Sequence, residues 1–228
     1  MPAAPADTGL DPLPAVLPVF PLTGSLLLPG NFMPLNIFEP RYRNMVEDVL
    51  ADDSYIGMIQ PLVPGPDNQG IGEENPKLYS VGCAGLLERA ERQADGRFLI
   101  LLRGVRRFRA DTEIELRRGY RRVRVSYEPF AEDARPETGG VDTAALLDDI
   151  DRFAQCLELE FDMELLAALD GPRLVNALAA ALPFAPAEQQ ALLEASTVAD
   201  RQRLLVELMH MDRTPRPTAA SFVPPTVN

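Results

Sequence analysis

The sequence predicts an α+β protein in two halves: short antiparallel strands forming a small β-barrel or folded sheet with one inserted helix, then an α-helical bundle. Three observations predict it. Between Val16 and Leu62, short apolar runs ("LPVFPL", "SLLLPG", "SYIGMIQPL") are cut repeatedly by proline and glycine, the punctuation of strands and turns. In "YRRVRVSYEPF", Val123, Val125 and Tyr127 alternate with Arg122, Arg124 and Ser126, the period of a strand with one wet face. Beyond Gly140 apolar residues recur at helical spacing, starting with the stripe Ala145, Leu146, Ile150, Phe153, Leu157 and Phe161.

Within the first half, "PLNIFEPRYRNMVEDVL" (34–50) turns from a strand into a helix. Pro40 starts that helix, because a missing amide donor costs nothing in the first turn, and Glu39 suits the positive end of the helix dipole. Tyr42, Met45, Val46, Val49 and Leu50 follow at i, i+3, i+4, i+7 and i+8, which is one buried face. The stretch therefore reads mainly as a structural hinge built on Pro40 and Tyr42, with Arg41 or Glu39 joined in a local ion pair, and alternatively as a grip in which an exposed Ile37-Phe38 edge, with Glu39 and Arg41 beside it, binds a partner. Residues 61–76 are rich in Pro, Gly, Asn and acids and read as a surface loop. Two strands then flank "QADG", where Gly96 accepts the positive φ of a tight turn. Gly104 interrupts the second of these strands and marks a bend or bulge.

In the second half the stripe from Ala145 to Phe161 forms one helix. "DGPRLVNALAAALP", "APAEQQALLEA" and "TVADRQRLLVELMHM" bring the set to about four, the last opening with Thr197 and Asp200 as a capping box. Residues 1–15 and 212–228 are expected to be mobile ends, 16–130 the strand domain, 131–140 a linker and 141–211 the bundle.

Composition excludes several chemistries. The formal charge is −12 over 228 residues, which argues against general attraction to nucleic acid or anionic lipid. Between Leu86 and Ser126, however, twelve arginines face six acids, a balance of +6 that leaves −18 for the remainder. Lys77 is the sole lysine and is followed by Leu78, so a phosphate-cradling P-loop is excluded and a serine–lysine peptidase would depend on a loop residue. His210 is the sole histidine, with no nucleophile motif beside it. Cys83 and Cys156 lie too far apart in sequence for a CxxC unit, and neither a zinc site nor a disulfide framework is indicated. The acids of "ELEFDMEL" fall on different helix faces and read as solvated surface rather than a metal site. No catalytic residue, cofactor or metal is expected, and the lack of a signal-peptide pattern or long apolar span points to a cytoplasmic protein without a membrane partner.

The arginines of segment 103–124, notably Arg103, Arg106 and Arg107, are candidates for binding acidic or backbone groups. With Phe108 and Tyr120 as stacking surfaces, the same segment supports the alternative of RNA binding. Alternation places Arg107 and Arg109 on one face, which also reads as a wet, ion-paired side.

Taken in order, "LPVFPL", Pro29-Gly30, "PLNIFEPRYRNMVEDVL", "YSVGCAG", "DGRFLILLRGVRRF" and the helical run after Leu174 resemble the amino-terminal substrate-binding domain of ATP-dependent Lon proteases. The resemblance covers residues 16–211. It implies a PUA-like antiparallel β-barrel with an inserted helix, then a helical bundle. It also implies a non-enzymatic module that recognises unfolded or degron-bearing polypeptides and presents them to a protease. Full-length Lon proteins continue into an ATPase and a peptidase, whose motifs these residues do not carry. Nothing in the sequence sets the oligomeric state.

Overall fold

A computed structural model describes residues 13–63, 76–135, 140–157 and 160–211. Of the expected mobile ends, 1–15 and 212–228, residues 1–12 and 212–228 lie outside the described residues, as does most of the expected loop at 61–76, while the carbonyls of Pro14 and Ala15 accept from the Tyr127 hydroxyl and the Val125 amide, each at 3.0 Å. The first half holds β1 (Val16–Pro21), β2 (Phe32–Ile37), α1 (Pro40–Ala51), β3 (Tyr55–Pro61), β4 (Leu78–Arg92), β5 (Phe98–Arg117) and β6 (Tyr120–Ser126). These strands make one six-stranded sheet in the order β2-β5-β4-β3-β1-β6. The twenty-residue β5 is long enough to pair with β2 and β4 along its first part and with β6 along its second. Among the described residues, β2 is thus the strand with a partner on one side alone. The expected antiparallel arrangement needs one correction: β1 and β3 run parallel, from Val19 opposite Gly57 to Pro21 opposite Ile59. The chain between them, which contains β2 and α1, is long enough for the crossover that parallel pairing demands.

Local chemistry sets the bends. Gly96 has φ +83° in the β4–β5 turn, where the Asp95 carboxylate accepts from the Arg97 amide. Gly104 lies beside a bulge, since Ala84 faces Arg106 while Gly85 faces Gly104, leaving Val105 unpaired. A Cβ on Gly104 would sit 2.1 Å from the Leu28 carbonyl oxygen. Glycine is therefore required for the 28–31 segment to bond there, through Gly30 N–H to Gly104 O at 2.9 Å and Gly104 N–H to Asn31 O at 2.8 Å.

Helix α1 begins at Pro40 and buries Tyr42, Met45, Val46 and Val49 against the sheet. Leu50, expected on the same face, is exposed, because the stripe rotates off the sheet by the last turn. Tyr42 packs edge-on to Phe20, with centroids 4.3 Å apart. The polar side of α1 clasps the β5–β6 turn. Arg118 takes the left-handed backbone conformation (φ +48°) beside Gly119 (φ +90°), as a two-residue hairpin turn demands. Its guanidinium bonds Asp48 at 2.7 Å and Glu47 at 2.9 Å, Tyr120 donates to Asp48 at 2.8 Å, and Arg117 lies 3.1 Å from the same carboxylate. Burial opposes charging Asp48, yet the bonds from Arg118 and Tyr120 and the charge of Arg117 outweigh it, and its pKa is lowered. Burial, then the bond to Asp48, push the Tyr120 phenol up to about 12.

A carboxyl lowered on folding contributes stability that is present above its unfolded pKa, about 3.9, and lost as pH falls through its folded value. Asp48→Asn is therefore expected to lower Tm at pH 5–8, with the gap to wild type closing as the pH drops below about 4. Thermal melts across that range measure it. A gap that persists undiminished at low pH would show that the Asp48 charge does not hold the clasp.

A 3-10 helix, Glu128–Ala134, packs on β5 and reaches into the segment expected as linker. The second half then contains α2 (Thr143–Leu157), α3 (Met163–Ala167), α4 (Gly171–Ala181), α5 (Pro186–Glu194) and α6 (Val198–Met211). Among the described residues five helices therefore stand where about four were expected. The stripe read as one helix from Ala145 to Phe161 is broken, because Asp162 caps α3 by accepting from the Leu165 amide at 2.9 Å. Ala145, at the start of that stripe, is exposed. Thr197 and Asp200 form the expected cap, with Thr197 Oγ1 accepting from the Asp200 amide at 3.0 Å.

One apolar core runs through both halves, from Leu26–Leu28, Met45 and Leu102 to Leu146, Leu178 and Leu205. Side-chain amides, of which Gln60, Asn176 and Gln190 are buried, stitch the seam. Asn31 donates to Asn176 O at 2.8 Å and Asn176 donates to Pro29 O at 3.1 Å. Gln60 donates to Pro186 O at 3.1 Å, and Gln190 donates to Val81 O at 3.1 Å. A second, smaller cluster around Phe108 fills the other side of the sheet with Leu17, Val19, Ile59, Ala84, Val123 and Val125.

Candidate functional site

The residues singled out in the sequence separate into buried and open positions. Ile37 is 2% exposed and belongs to the core, whereas Phe38 is 50% exposed. Glu39 and Arg41 pair at 2.8 Å, and the Arg41 guanidinium also lies 4.8 Å from the Tyr42 ring centroid. Pro40 and Tyr42 start and bury α1, Gly96 and Gly104 shape the turn and the bulge, and Phe108 is fully buried. Arg103 is half-buried beside Glu88, and Arg106 is half-buried.

Arg107 is 2% exposed. Its Nη2 donates to Asp133 at 2.7 Å and its Nη1 to the carbonyls of Leu193 at 2.9 Å and Ala195 at 2.5 Å. It therefore joins β5, the 3-10 helix and the end of α5, where a cation meets the negative pole of the helix dipole. Alternation correctly pairs it with Arg109, but helices cover the sheet at Arg107 and leave Arg109 in water.

The open surface lies on the outer face of β2 and β5. Along "FMPLNI", Met33, Leu35 and Ile37 turn inward, while Phe32, Pro34 and Asn36 are exposed. Phe38 continues the exposed series. Register sets Phe32 opposite Arg103, Pro34 opposite Leu101 and Asn36 opposite Leu99, and directly opposed side chains on one face touch. Phe32 is 41% exposed and Leu99 47%. The result is an apolar stripe about 20 Å long, from six to seven residues at 3.4 Å each. On its β4 side, the ion pairs Arg103–Glu88 and Arg89–Glu91 form a charged rim. A contiguous exposed apolar patch with a polar rim is the ordinary form of a protein-binding surface. Sequence reading located Phe38 but missed Phe32, Pro34, Leu99 and Leu101. The available signal was the alternation in "NFMPLNIF", which puts two phenylalanines on the face opposite Met33, Leu35 and Ile37.

No comparable chemical centre appears among the described residues. His210 stands 3.6 Å from Asp149 at the rim of a cleft of about 370 Å³, which also holds Arg152 and Cys156 above buried Phe153 and Met209. Burial pushes the Cys83 thiol up to about 12, which suppresses the reactive thiolate. No three His, Cys, Asp or Glu side chains among the described residues converge to hold a metal ion, and no helix there is long and apolar enough to cross a membrane.

Residues 16–211 match the family model of the ATP-dependent protease La (LON) substrate-binding domain. Lon protease 2 of Myxococcus xanthus is 26% identical over 223 residues, which are 93% of this chain and 26% of that protein. Lon protease 2 of Sorangium cellulosum is 29% identical over 203 residues, 85% of this chain and 24% of that protein. The chain thus spans about a quarter of the length of these curated relatives. Among solved structures, the Lon N-terminal domain protein from Xanthomonas campestris superposes with TM-score 0.57 and 25% identity, covering 84% of this chain and 97% of that one. The N-terminal domain of Mycobacterium avium complex Lon protease shares the fold, with TM-score 0.63 and 20% identity over 86% of this chain and 99% of that one. With the family model covering most of its length, the chain belongs to the LON substrate-binding domain family.

Proposed function

We propose that the protein is a non-enzymatic recognition module that holds unfolded or degron-bearing polypeptides on the outer face of β2 and β5 and presents them to a protease, in the cytoplasm. One observation carries this reading: in a substrate-binding family, Phe32 on β2, Phe38 just beyond it and Leu99 on the paired β5 stand exposed on one face, at the strand that has a partner on one side alone. The pairing of β5 with β6 brings one end of the sheet back to the strand next to its other end, which supports the PUA-like barrel as the architecture behind that face.

Burying both rings against a client is worth about 2–3 kcal/mol in all, since each is already half-covered. Phe32→Ser combined with Phe38→Ser is therefore expected to weaken binding of reduced, carboxymethylated lactalbumin about 30- to 150-fold, with Tm nearly unchanged. Fluorescence anisotropy of the labelled, unfolded protein measures it. Unaltered affinity in the folded double variant would remove this face from the reading, and no saturable binding by the wild type would remove the reading itself.

The RNA alternative rests on the +6 segment. Nine of its twelve arginines are in ion pairs with carboxylates of the chain, which leaves little unmatched cationic surface for phosphates. RNA affinity that falls steeply with salt would restore it.

A further inference from the structure

The open edge of β2 poses a question that the apolar face alone does not answer. A polypeptide arriving at an unpaired strand can add to the sheet through its backbone or lie on the sheet's face through its side chains. Among the described residues β2 is the strand left open along its whole outer side, whereas β4 and β5 are open only over their last parts, so β2 is the main place for strand addition.

That place carries Pro34 at its centre. Proline has no amide hydrogen to give to a ladder, and it fits a paired edge strand where its nitrogen faces away from the partner. Pro34 pairs with Leu101 within an unbroken register from Phe32–Arg103 to Ile37–Phe98, so its ring faces the open edge. In an antiparallel strand the residues whose backbone points outward alternate, which places Phe32 and Asn36 on the outward side with Pro34 between them. An incoming strand would meet donors at those two positions, none between them, and the ring carbon where a hydrogen should be. Proline on an edge is one of the means by which sheets avoid pairing with other chains.

We infer that Pro34 sets how clients are held: it denies strand addition at β2, so that an extended apolar segment is gripped by its side chains on Phe32, Leu99, Leu101 and Phe38, with its own backbone left in water. This rests on the reading of that face as the client surface. The mode accounts for an apolar stripe and an open edge existing side by side without inviting a second sheet. It also selects clients by the spacing of apolar side chains and not by their capacity to form a ladder.

The test uses an eight-residue peptide alternating leucine with serine and lysine, and the same peptide N-methylated at every serine and lysine, which abolishes half of its ladder donors. The expected result on the wild-type protein is equal affinity within about threefold, with both peptides lost from the Phe32→Ser, Phe38→Ser variant. Pro34→Val, once shown by its melt to be folded, should bind the unmethylated peptide at least fivefold more tightly than the methylated one and should self-associate at concentrations where the wild type does not. A tenfold or greater loss on N-methylation in the wild type would overturn the inference and leave the client-binding reading standing. So would binding of unfolded lactalbumin with no binding of either peptide. Failure of all three probes would overturn both.

Discussion

Replacing Arg107 by alanine is expected to destabilise the protein by about 3–5 kcal/mol, the range for breaking a buried ion pair from one side. The variant leaves Asp133 buried without its cation, since that side chain is 4% exposed and otherwise receives the Arg107 backbone N–H at 2.9 Å. It also frees the carbonyls of Leu193 and Ala195 at the end of α5. Because these groups lie where sheet and helices meet, the loss reaches the packing of the two halves. Urea unfolding of Arg107→Ala, Asp133→Ala and the double variant measures it. The double variant should be less damaged than the two single costs added together, because removing both charges leaves none stranded. Strict additivity would mean that the pair is not a coupled unit.

Phe108→Ala carries the second large effect, about 3–5 kcal/mol for removing a fully buried aromatic ring. The ring stands in the smaller of the two apolar clusters, where few neighbours can collapse into the space. Its fit depends on glycine: a Cβ on Gly57 would lie 3.1 Å from Phe108 Cζ and 3.1 Å from Val19 Cγ1. Gly57→Ala alone is therefore expected to cost about 1–3 kcal/mol by overpacking. In the Phe108→Ala background the same change should be neutral or stabilising, because the added methyl enters the cavity. Equilibrium unfolding of the four-member cycle decides it. A Gly57→Ala cost that is the same in both backgrounds would show that the glycine serves the backbone and not the ring.

Much of this molecule was legible in the chain because it is governed by local rules. Pro40 starts α1 whatever surrounds it, since the missing donor is harmless in the first turn. The turn at Gly96, the bulge beside Gly104 and the cap at Thr197 follow equally from backbone and side-chain chemistry within a few residues. Where the reading departed, longer-range packing intervened. Leu50 obeys the helical stripe but overhangs the sheet, and the break before α3 rests on Asp162, whose capping role competes with a helical pattern running through it. Of the candidate site, Phe38 was readable. The run "FLILLRG" is apolar at successive positions, so Leu99 and Leu101 could not be told from their inward-facing neighbours by periodicity.

The sequence by itself determined the two halves, the position of the inserted helix, the turns and the family resemblance, because spacing and special residues constrain neighbours along the chain. The tertiary structure alone decided that one core unites the halves, that β1 and β3 run parallel, and which side of each strand meets water. Arg107 and Phe32 show the reason. An arginine on an apparently wet strand face is buried because α5 and a 3-10 helix come to lie over it, and a phenylalanine stays exposed because no element among the described residues covers the outer face of β2. Burial depends on what arrives from elsewhere in the chain, and alternation within one strand carries no record of that.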